Sequence, residues 1–164
     1  MTDLMIPVLS KNEVDIYFKK AHDSIRHREA KILHEKGDYL NKVFNFLLRD
    51  TYMHPHMHPS EEKIEKMYLV RGSFALIIFD DNGVVVDLVV LEKGQRENIN
   101  VPAHTWHTYV MMDDEVIVFE TMEGFYDPST WKKMAPWAPE ENTDAAHAYL
   151  ASLKELVQSA RNEI

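Results

Sequence analysis

The chain has 164 residues but no cysteine, only five glycines and no long apolar run. The absence of cysteine excludes disulfides, thiol nucleophiles and every metal or iron–sulfur site that needs thiolate ligands. No apolar run approaches the roughly 20 residues that a membrane-spanning helix requires. The first residues, Met1-Thr2-Asp3-Leu4, also lack the basic segment of a signal peptide. We therefore expect a cytoplasmic protein with no membrane partner.

Basic residues are scarce as well, since 18 Lys and Arg stand against 27 Asp and Glu and leave a net charge of −9. A nucleic-acid binder needs a dense basic surface to displace counterions, and the sequence has no such stripe. We therefore expect no nucleic-acid partner. The length corresponds to one domain of usual size, and a 45% hydrophobic content is enough to build its core. These features predict a single domain over residues 1–164.

Helical patterns occur at the two ends of the chain. Ser10 and Glu13 have the spacing of a capping box, and apolar residues then recur at helical spacing over about 11–30. Thr143 and Asp144 can cap a second helix, in which apolar positions repeat every three to four residues. The sequence thus predicts a helical N-terminal segment over about 1–35 and a C-terminal extension with a helix over about 123–164.

Between the helices the apolar period changes to two. Stretches rich in β-forming residues recur at intervals of about 8–12 residues, and Asn82-Gly83 suits a type I′ hairpin turn. Residues 73–79 are apolar on both alternating faces, so we expect this strand to be covered on each side. A closed barrel or a sandwich over about 40–122 follows, with an interior wide enough for a site. The predicted strands are 40–50, 51–58, 64–71, 73–80, 84–91, 98–102, 105–111 and 115–122.

Three of the nine histidines fall where they can share a metal ion. His56 and His58 are two residues apart, so on a strand they point to the same face, about 6.6 Å apart along the backbone. Glu65 begins a later predicted strand and lies on the same face of it as the apolar residues Met67 and Leu69. His107 lies on a further predicted strand. The nitrogen and oxygen ligands of His56, His58, Glu65 and His107 suit one divalent transition metal, Fe, Mn, Ni or Zn. Open coordination positions would take water or a substrate.

Two further side chains are candidates for proton transfer near such a metal. Glu120 is in phase with the apolar residues of its strand and can face the interior as a general base, although a surface or ion-paired position fits equally well. His104 can orient His107 through its second ring nitrogen or lie on a rim loop. His54 shares a strand face with His56 and can be a replacement ligand or part of the pocket wall.

Aromatic and basic residues give weaker indications. Aromatic rings can stack against a sugar in a pocket, or they can belong to the core. The aromatic candidates are Tyr52, Trp106, Tyr109, Tyr126 and Trp137. Basic side chains can steer an anionic sugar nucleotide, or they can simply be exposed, and the residues in question are Lys63, Lys66, Arg71 and Arg96.

The order and spacing of His56-x-His58, Glu65-x6-Gly72 and Pro102-x4-His107 resemble the two bipartite motifs of the cupin superfamily. The resemblance implies a mainly β fold, the double-stranded β-helix or jelly-roll barrel, here with flanking N- and C-terminal α-helices. It also implies metal binding through three histidines and one glutamate. The chain departs from the usual motif in the longer segment between His58 and Glu65, and in His104, which stands where the motif has glycine.

A narrower resemblance covers most of residues 28–141, above all Gly124-x-Tyr126-Asp127-Pro128 and Ala135-Pro136-Trp137-Ala138-Pro139-Glu140. Both segments resemble the WbuC family of cupin-fold metalloproteins, which is found among bacterial O-antigen (lipopolysaccharide) biosynthesis genes. The resemblance implies a metalloprotein of that pathway.

We expect a metalloenzyme that acts on a small polar or carbohydrate-type metabolite, such as a sugar or nucleotide sugar, with the metal as Lewis acid. Isomerase or epimerase chemistry would fit. Two alternatives stay open, an Fe(II)-dependent dioxygenase and a non-catalytic metal- or sugar-binding module. Exposed strand edges would also permit a homodimer.

Overall fold

A computed structural model describes residues 5–163 as two five-stranded antiparallel sheets flanked by two helices. Residues 1–4, considered above for a signal sequence, and Ile164 lie outside this range. The helices are α1 (Lys11–Asp23) and α2 (Asp144–Asn162). The strands are β1 (Arg28–Ile32), β2 (Leu40–Leu48), β3 (His56–Met57), β4 (Glu65–Arg71), β5 (Ser73–Phe79), β6 (Val85–Glu92), β7 (Asn98–Val101), β8 (Trp106–Met111), β9 (Glu115–Glu123) and β10 (Lys133–Met134).

The two sheets face each other and enclose one part of the core. The first sheet has the order β1-β2-β9-β4-β7 and the second has the order β10-β3-β8-β5-β6. Alternate residues of both sheets point inward and pack together, among them Met67 and Val118 from the first sheet and Phe74 and Met111 from the second. The mainly β, two-sheet architecture predicted from the sequence is therefore confirmed.

Each sheet is covered on its outer face by one helix. Phe18 and Ala21 of α1 pack on the first sheet against Phe44 and its neighbours, whereas α2 packs on the second sheet. The second contact buries β5 on both faces, as its sequence predicts. Ser10 and Thr143 cap the two helices as expected. In the part of the chain described, no helix has the length and apolar character needed to cross a membrane.

The N-terminal helix is shorter than predicted. It ends at Asp23, and the expected helical segment to about residue 35 instead contains a turn and strand β1. His27 takes a positive φ of 54°, and its amide donates to the carbonyl of Ser24, which closes the turn. Strand β1 then pairs antiparallel with β2. This pairing gives the backbone N–H and C=O groups of β1 their hydrogen-bond partners on β2. The tertiary contact therefore determines the conformation of this segment, although its sequence follows a helical pattern.

The hairpin at Asn82-Gly83 forms, but its turn type differs from the prediction. A type I′ turn needs a positive φ at both central residues. Here Gly83 has a φ of 83° and Asn82 is not among the residues with positive φ. The amides of Asn82 and Val84 donate to the carboxylate of Asp80, and the strand register shifts beside the turn. A three-residue loop with glycine in the left-handed conformation accounts for these features.

Candidate metal centre

Four side chains from both sheets converge inside the barrel. One ligand atom from each of His56, His58, Glu65 and His107 lies within 4.8 Å of the others, and all four residues are buried. His56 on β3 pairs directly with His107 on β8 in the second sheet, whereas Glu65 is the first residue of β4 in the first sheet. His58 follows β3. The structure thus brings together the four residues that the sequence predicts as ligands.

Each of the three imidazoles is oriented by a backbone carbonyl. The ring Nδ1 donates at 2.8–2.9 Å, from His56 to His54, from His58 to Trp131 and from His107 to Thr105. Because a carbonyl oxygen only accepts hydrogen bonds, Nδ1 carries the proton in each ring. The neutral ring then has an electron pair at Nε2, which is the form that binds a metal.

The Nε2 atoms point towards the carboxylate of Glu65. Its Oε2 lies 2.8 Å from Nε2 of His107 and 3.3 Å from Nε2 of His58. A neutral imidazole with its proton on Nδ1 and an ionised carboxylate both present electron pairs, so the two need a cation between them. Three imidazole nitrogens and one carboxylate oxygen form a donor set that suits a borderline divalent ion. The residues of this structure therefore fit a divalent metal.

The environment keeps these ligands in their metal-binding protonation states. Burial, with the charge of His107, lowers the pKa of His56 well below its ordinary value, which favours the neutral ring. Burial opposes the charge of Glu65, but without a bound ion a proton shared with the Nε2 atoms of His107 and His58 takes the place of the cation, and their charge and hydrogen bonds hold the pKa of this carboxyl well below its usual range. The glutamate is therefore ionised when the site forms.

A second carboxylate lies beside the cluster and is linked to it by a tyrosine. The hydroxyl of Tyr109 lies 3.3 Å from Glu65 Oε1 and 3.1 Å from Glu120 Oε1. Burial and the charge of Glu65 raise the pKa of Glu120 well above its ordinary value. With Glu120 protonated, its proton can be donated to the Tyr109 oxygen while the Tyr109 hydroxyl donates to Glu65. Glu120 faces the interior, which is one of the two positions that the sequence left open, and lines the cavity beside the cluster.

The other two histidines considered in the sequence take different positions. His104 lies on the turn before β8, where its side chain is 50% exposed and its Nε2 is 3.5 Å from Glu61 Oε1. It has a φ of 58°, the conformation that favours glycine at this position. His54 is buried with its Nε2 2.9 Å from the carbonyl of Ala135, so its ring contacts the C-terminal segment rather than the cluster.

A cavity of about 410 Å³ connects the cluster to the surface. Its wall includes Arg26, Arg28, Trp131 and Lys132, none of which the sequence patterns indicated. Arg28, Glu29 and Ala30 line the cavity from β1, which the sequence patterns assign to a helix. Trp131 and Lys132 come from the irregular segment before β10 and have no local signal. A smaller chamber of about 220 Å³ shares Glu65 and Glu120 with this cavity, but its wall is mostly apolar.

The aromatic and basic candidates divide between the cavities and other parts of the structure. Tyr109 and Tyr126 line the cavities. Tyr52, Trp106 and Trp137 instead belong to the core beneath α2. Two of the basic candidates also have other partners. Lys63 donates to the carbonyl of Thr130, and the Arg71 guanidinium lies over the Phe18 ring.

The two facing sheets with a His/Glu cluster between them define a protein of the cupin fold. Within that class, the chain belongs to the family described as domain of unknown function DUF6016, whose model matches residues 9–91. The matched range extends from α1 into β6 and contains His56, His58 and Glu65, whereas His107 and Glu120 follow it. No curated protein sequence matches the chain significantly.

Solved structures share the fold at low sequence identity. Protein SO0799 from Shewanella oneidensis superposes with a TM-score of 0.57 at 12% identity, over 73% of this chain and 82% of that one. The capsular polysaccharide assembling protein CapF from Staphylococcus aureus gives 0.55 at 15% identity, over 64% of this chain. Oxalate decarboxylase from Lactobacillus farciminis gives 0.51 at 13% identity, over 65% of this chain. The match spans only 31% of the length of either of the last two proteins.

Proposed function

We propose that the protein is a metal-dependent enzyme that acts on a small polar, carbohydrate-type metabolite in bacterial polysaccharide or O-antigen biosynthesis. One observation carries the catalytic part of the proposal. Three residues of the convergent His/Glu cluster, His56, His58 and Glu65, lie on the wall of an open cavity, and the Glu120–Tyr109 pair lies directly beside them. A purely structural metal site would be closed, whereas a catalytic site keeps access for a ligand.

The residues divide the chemistry between them. His56, His58, Glu65 and His107 would hold the ion, which when bound supplies Lewis acidity towards a carbonyl or hydroxyl oxygen. Glu120 holds a proton because its pKa is raised, and it lines the same cavity. It therefore acts as general acid and, once deprotonated, as general base. Tyr109 links Glu120 to Glu65 by hydrogen bonds and keeps the two carboxyl groups in fixed positions.

The pathway is proposed from the resemblance to the WbuC family. The segments that carry this resemblance border the candidate site in the structure. Tyr126 lines the smaller chamber and its ring packs against Trp131, whose carbonyl orients His58. The carbonyl of Ala135 meets the ring of His54. Because both segments contact residues of the candidate site, we propose that they contribute to its function.

The test begins with metal quantification on protein purified without chelator and without nickel affinity chromatography. The metal-loaded protein is then incubated with a panel of sugars, sugar acids and nucleotide sugars, and products are detected by mass spectrometry and NMR. Conversion by wild type and loss of conversion by His107→Gln would support the proposal. Consumption of oxygen that requires Fe(II) and a panel compound would favour a dioxygenase. Tight binding without chemical change under every metal would favour a binding module.

A further inference from the structure

The mouth of the main cavity carries positive charge, although the chain as a whole has a net charge of −9. Arg26, Arg28 and Lys132 line the same cavity as His56 and Glu65. They come from the turn before β1, from β1 itself and from the segment before β10. The tertiary structure thus collects three cationic side chains at one opening.

One carboxylate holds the two arginines in place. Arg28 Nη2 lies 2.5 Å from Glu141 Oε1, and Arg26 Nε lies 3.0 Å from Glu141 Oε2. Arg28 also donates to the hydroxyl of Thr51 and the carbonyl of Tyr52. Arg28 is therefore a fixed support, whereas the side chain of Arg26 is 49% exposed and keeps donors free for a ligand.

Lys132 has no ion-pair or hydrogen-bond partner within residues 5–163. The charged groups that act on it are Arg28, Arg26, Glu141 and Glu65. Partial desolvation at the cavity mouth, followed by the charges of Arg28 and Arg26, lowers the pKa of Lys132. Arg26 and Arg28 share the single carboxylate of Glu141, and Lys132 adds a third cation, so a surplus of two positive charges remains before the acidic residues of the cavity wall are counted.

The acidic residues of the cavity wall neutralise only part of this surplus. Glu65 points to the Nε2 atoms of His58 and His107, and Glu120 is hydrogen-bonded to Tyr109, so neither carboxyl group is paired with Lys132 or Arg26. Glu29 follows Arg28 on β1 and also lines the cavity, so its carboxylate reduces the surplus from two positive charges to one. Concentrated positive charge in a cleft attracts and orients an anion.

We infer that the cavity takes a ligand with one carboxylate or phosphate group, which Lys132 and Arg26 bind at the mouth while the rest of the molecule reaches the His/Glu cluster. This inference specifies the class of ligand, and it rests on the proposed function for the reaction that takes place at the cluster. The smaller chamber supports the orientation, because Ile32, Val43 and Tyr126 make its wall unsuitable for an anion. The charged end therefore lies towards the mouth and the neutral end towards the interior.

The test measures binding of glucose, glucuronate and glucose 6-phosphate to the Zn(II)-loaded protein by calorimetry at low ionic strength. The variants are Lys132→Gln, Arg26→Gln and the matched control Lys133→Gln. Lys133 is the next residue, but its amino group lies over the ring of Trp106, away from the cavity. We expect an anionic sugar to bind at least about tenfold more tightly than glucose, and Lys132→Gln to reduce that affinity about five- to tenfold. Lys133→Gln should change it less than about twofold.

The comparison of glucuronate with glucose 6-phosphate identifies which oxyanion is preferred. Equal affinity for all three sugars, or equal losses in the Lys132 and Lys133 variants, would overturn the inference. The same measurements on chelator-stripped wild type separate the two proposals. If no metal binds, the proposed function fails, yet a Lys132-dependent preference for anions would still support the inference. If metal binds and no preference exists, the inference alone fails.

Discussion

Glu65 Oε2 and His107 Nε2 lie 2.8 Å apart and join the two sheets of the barrel across its interior. Glu65 begins β4 in the first sheet, and His107 lies on β8 in the second. Both side chains are almost fully buried, so neither can satisfy its polar atoms with bulk water. The candidate metal centre therefore depends on correct packing of the two sheets, and metal binding should in turn stabilise that packing.

Replacement of one ligand tests this coupling. We expect His107→Gln to weaken metal binding by more than about 100-fold, because even loss of a residue that only orients a ligand costs about 10–100-fold. Metal at about 100 times its Kd should stabilise wild type by about 2.7 kcal/mol, and this gain should be absent in the variant. Thermal unfolding of both proteins with and without metal measures this stabilisation. His147→Gln, an exposed position on α2, should keep the full gain. An unchanged metal response in His107→Gln would contradict the assignment.

Glu120→Gln separates proton transfer from metal binding. We expect full metal content and a loss of turnover of about 10²–10⁴-fold, because the amide keeps the shape of the side chain but cannot exchange a proton. The measurements are elemental analysis and kcat on the substrate found in the panel. Glu123→Gln, at the exposed end of the same strand, is the matched control. Retention of wild-type kcat by Glu120→Gln would remove Glu120 from the mechanism.

The metal-free protein should lose stability as the pH falls below about 6.5. Burial and the charge of His107 lower the pKa of His56 well below its ordinary value of 6.5. In this pH range the unfolded chain binds a proton at His56 and the folded chain does not, so acidification favours unfolding. Protonation of His56 in the unfolded chain should lower the free energy of unfolding by up to about 1.4 kcal/mol per pH unit. Urea unfolding between about pH 7.5 and pH 5 measures it.

His56→Gln provides the control for this pH dependence, because it lacks the titrating ring. The wild-type and variant stabilities should therefore show different slopes against pH in metal-free buffer, and parallel slopes would refute the explanation. In the metal-loaded protein, protons compete with the ion for the imidazoles. Metal occupancy should consequently fall as the pH drops through about 6.

His104→Gly tests the two roles considered for this residue. Its positive φ of 58° costs a residue with a side chain about 1 kcal/mol, and glycine removes that cost while it increases the entropy of the unfolded chain. We expect the free energy of unfolding to stay equal or rise by up to about 1 kcal/mol, with metal content and kcat unchanged. A large loss of kcat at full metal content would instead establish His104 as a proton carrier.

Gly83→Ala tests how the C-terminal segment is held against the β5–β6 hairpin. An added Cβ at Gly83 would lie 2.6 Å from the Trp137 ring, and the φ of 83° adds strain. Gly94 has a nearly equal φ of 81° but no atom within 4 Å of the same position. Gly94→Ala should therefore cost about 1 kcal/mol from strain alone, and Gly83→Ala about 1–3 kcal/mol more. Equal losses in chemical denaturation would show that Trp137 moves freely.

Strand periodicity placed the four residues of the cluster on inward faces, and their order and spacing, which resemble the cupin motifs, joined them into one candidate site. His56 and His58 share a face because side chains alternate along a strand, and Glu120 faces inward for the same reason. Prediction from the apolar period was wrong at β1. Its residues follow a helical pattern closely enough to predict a helix to about residue 30, but pairing with β2 determines their conformation.

The sequence by itself determined the nitrogen and oxygen character of the candidate site, because a chain without cysteine has no thiolate to offer. It also determined which strand faces carry His56, Glu65 and His107, because alternation is a property of the local backbone. Only the tertiary structure decided how these ligands are oriented and what surrounds them. Lys132 reaches the cavity through an irregular segment, and long-range packing of such a segment follows no local period.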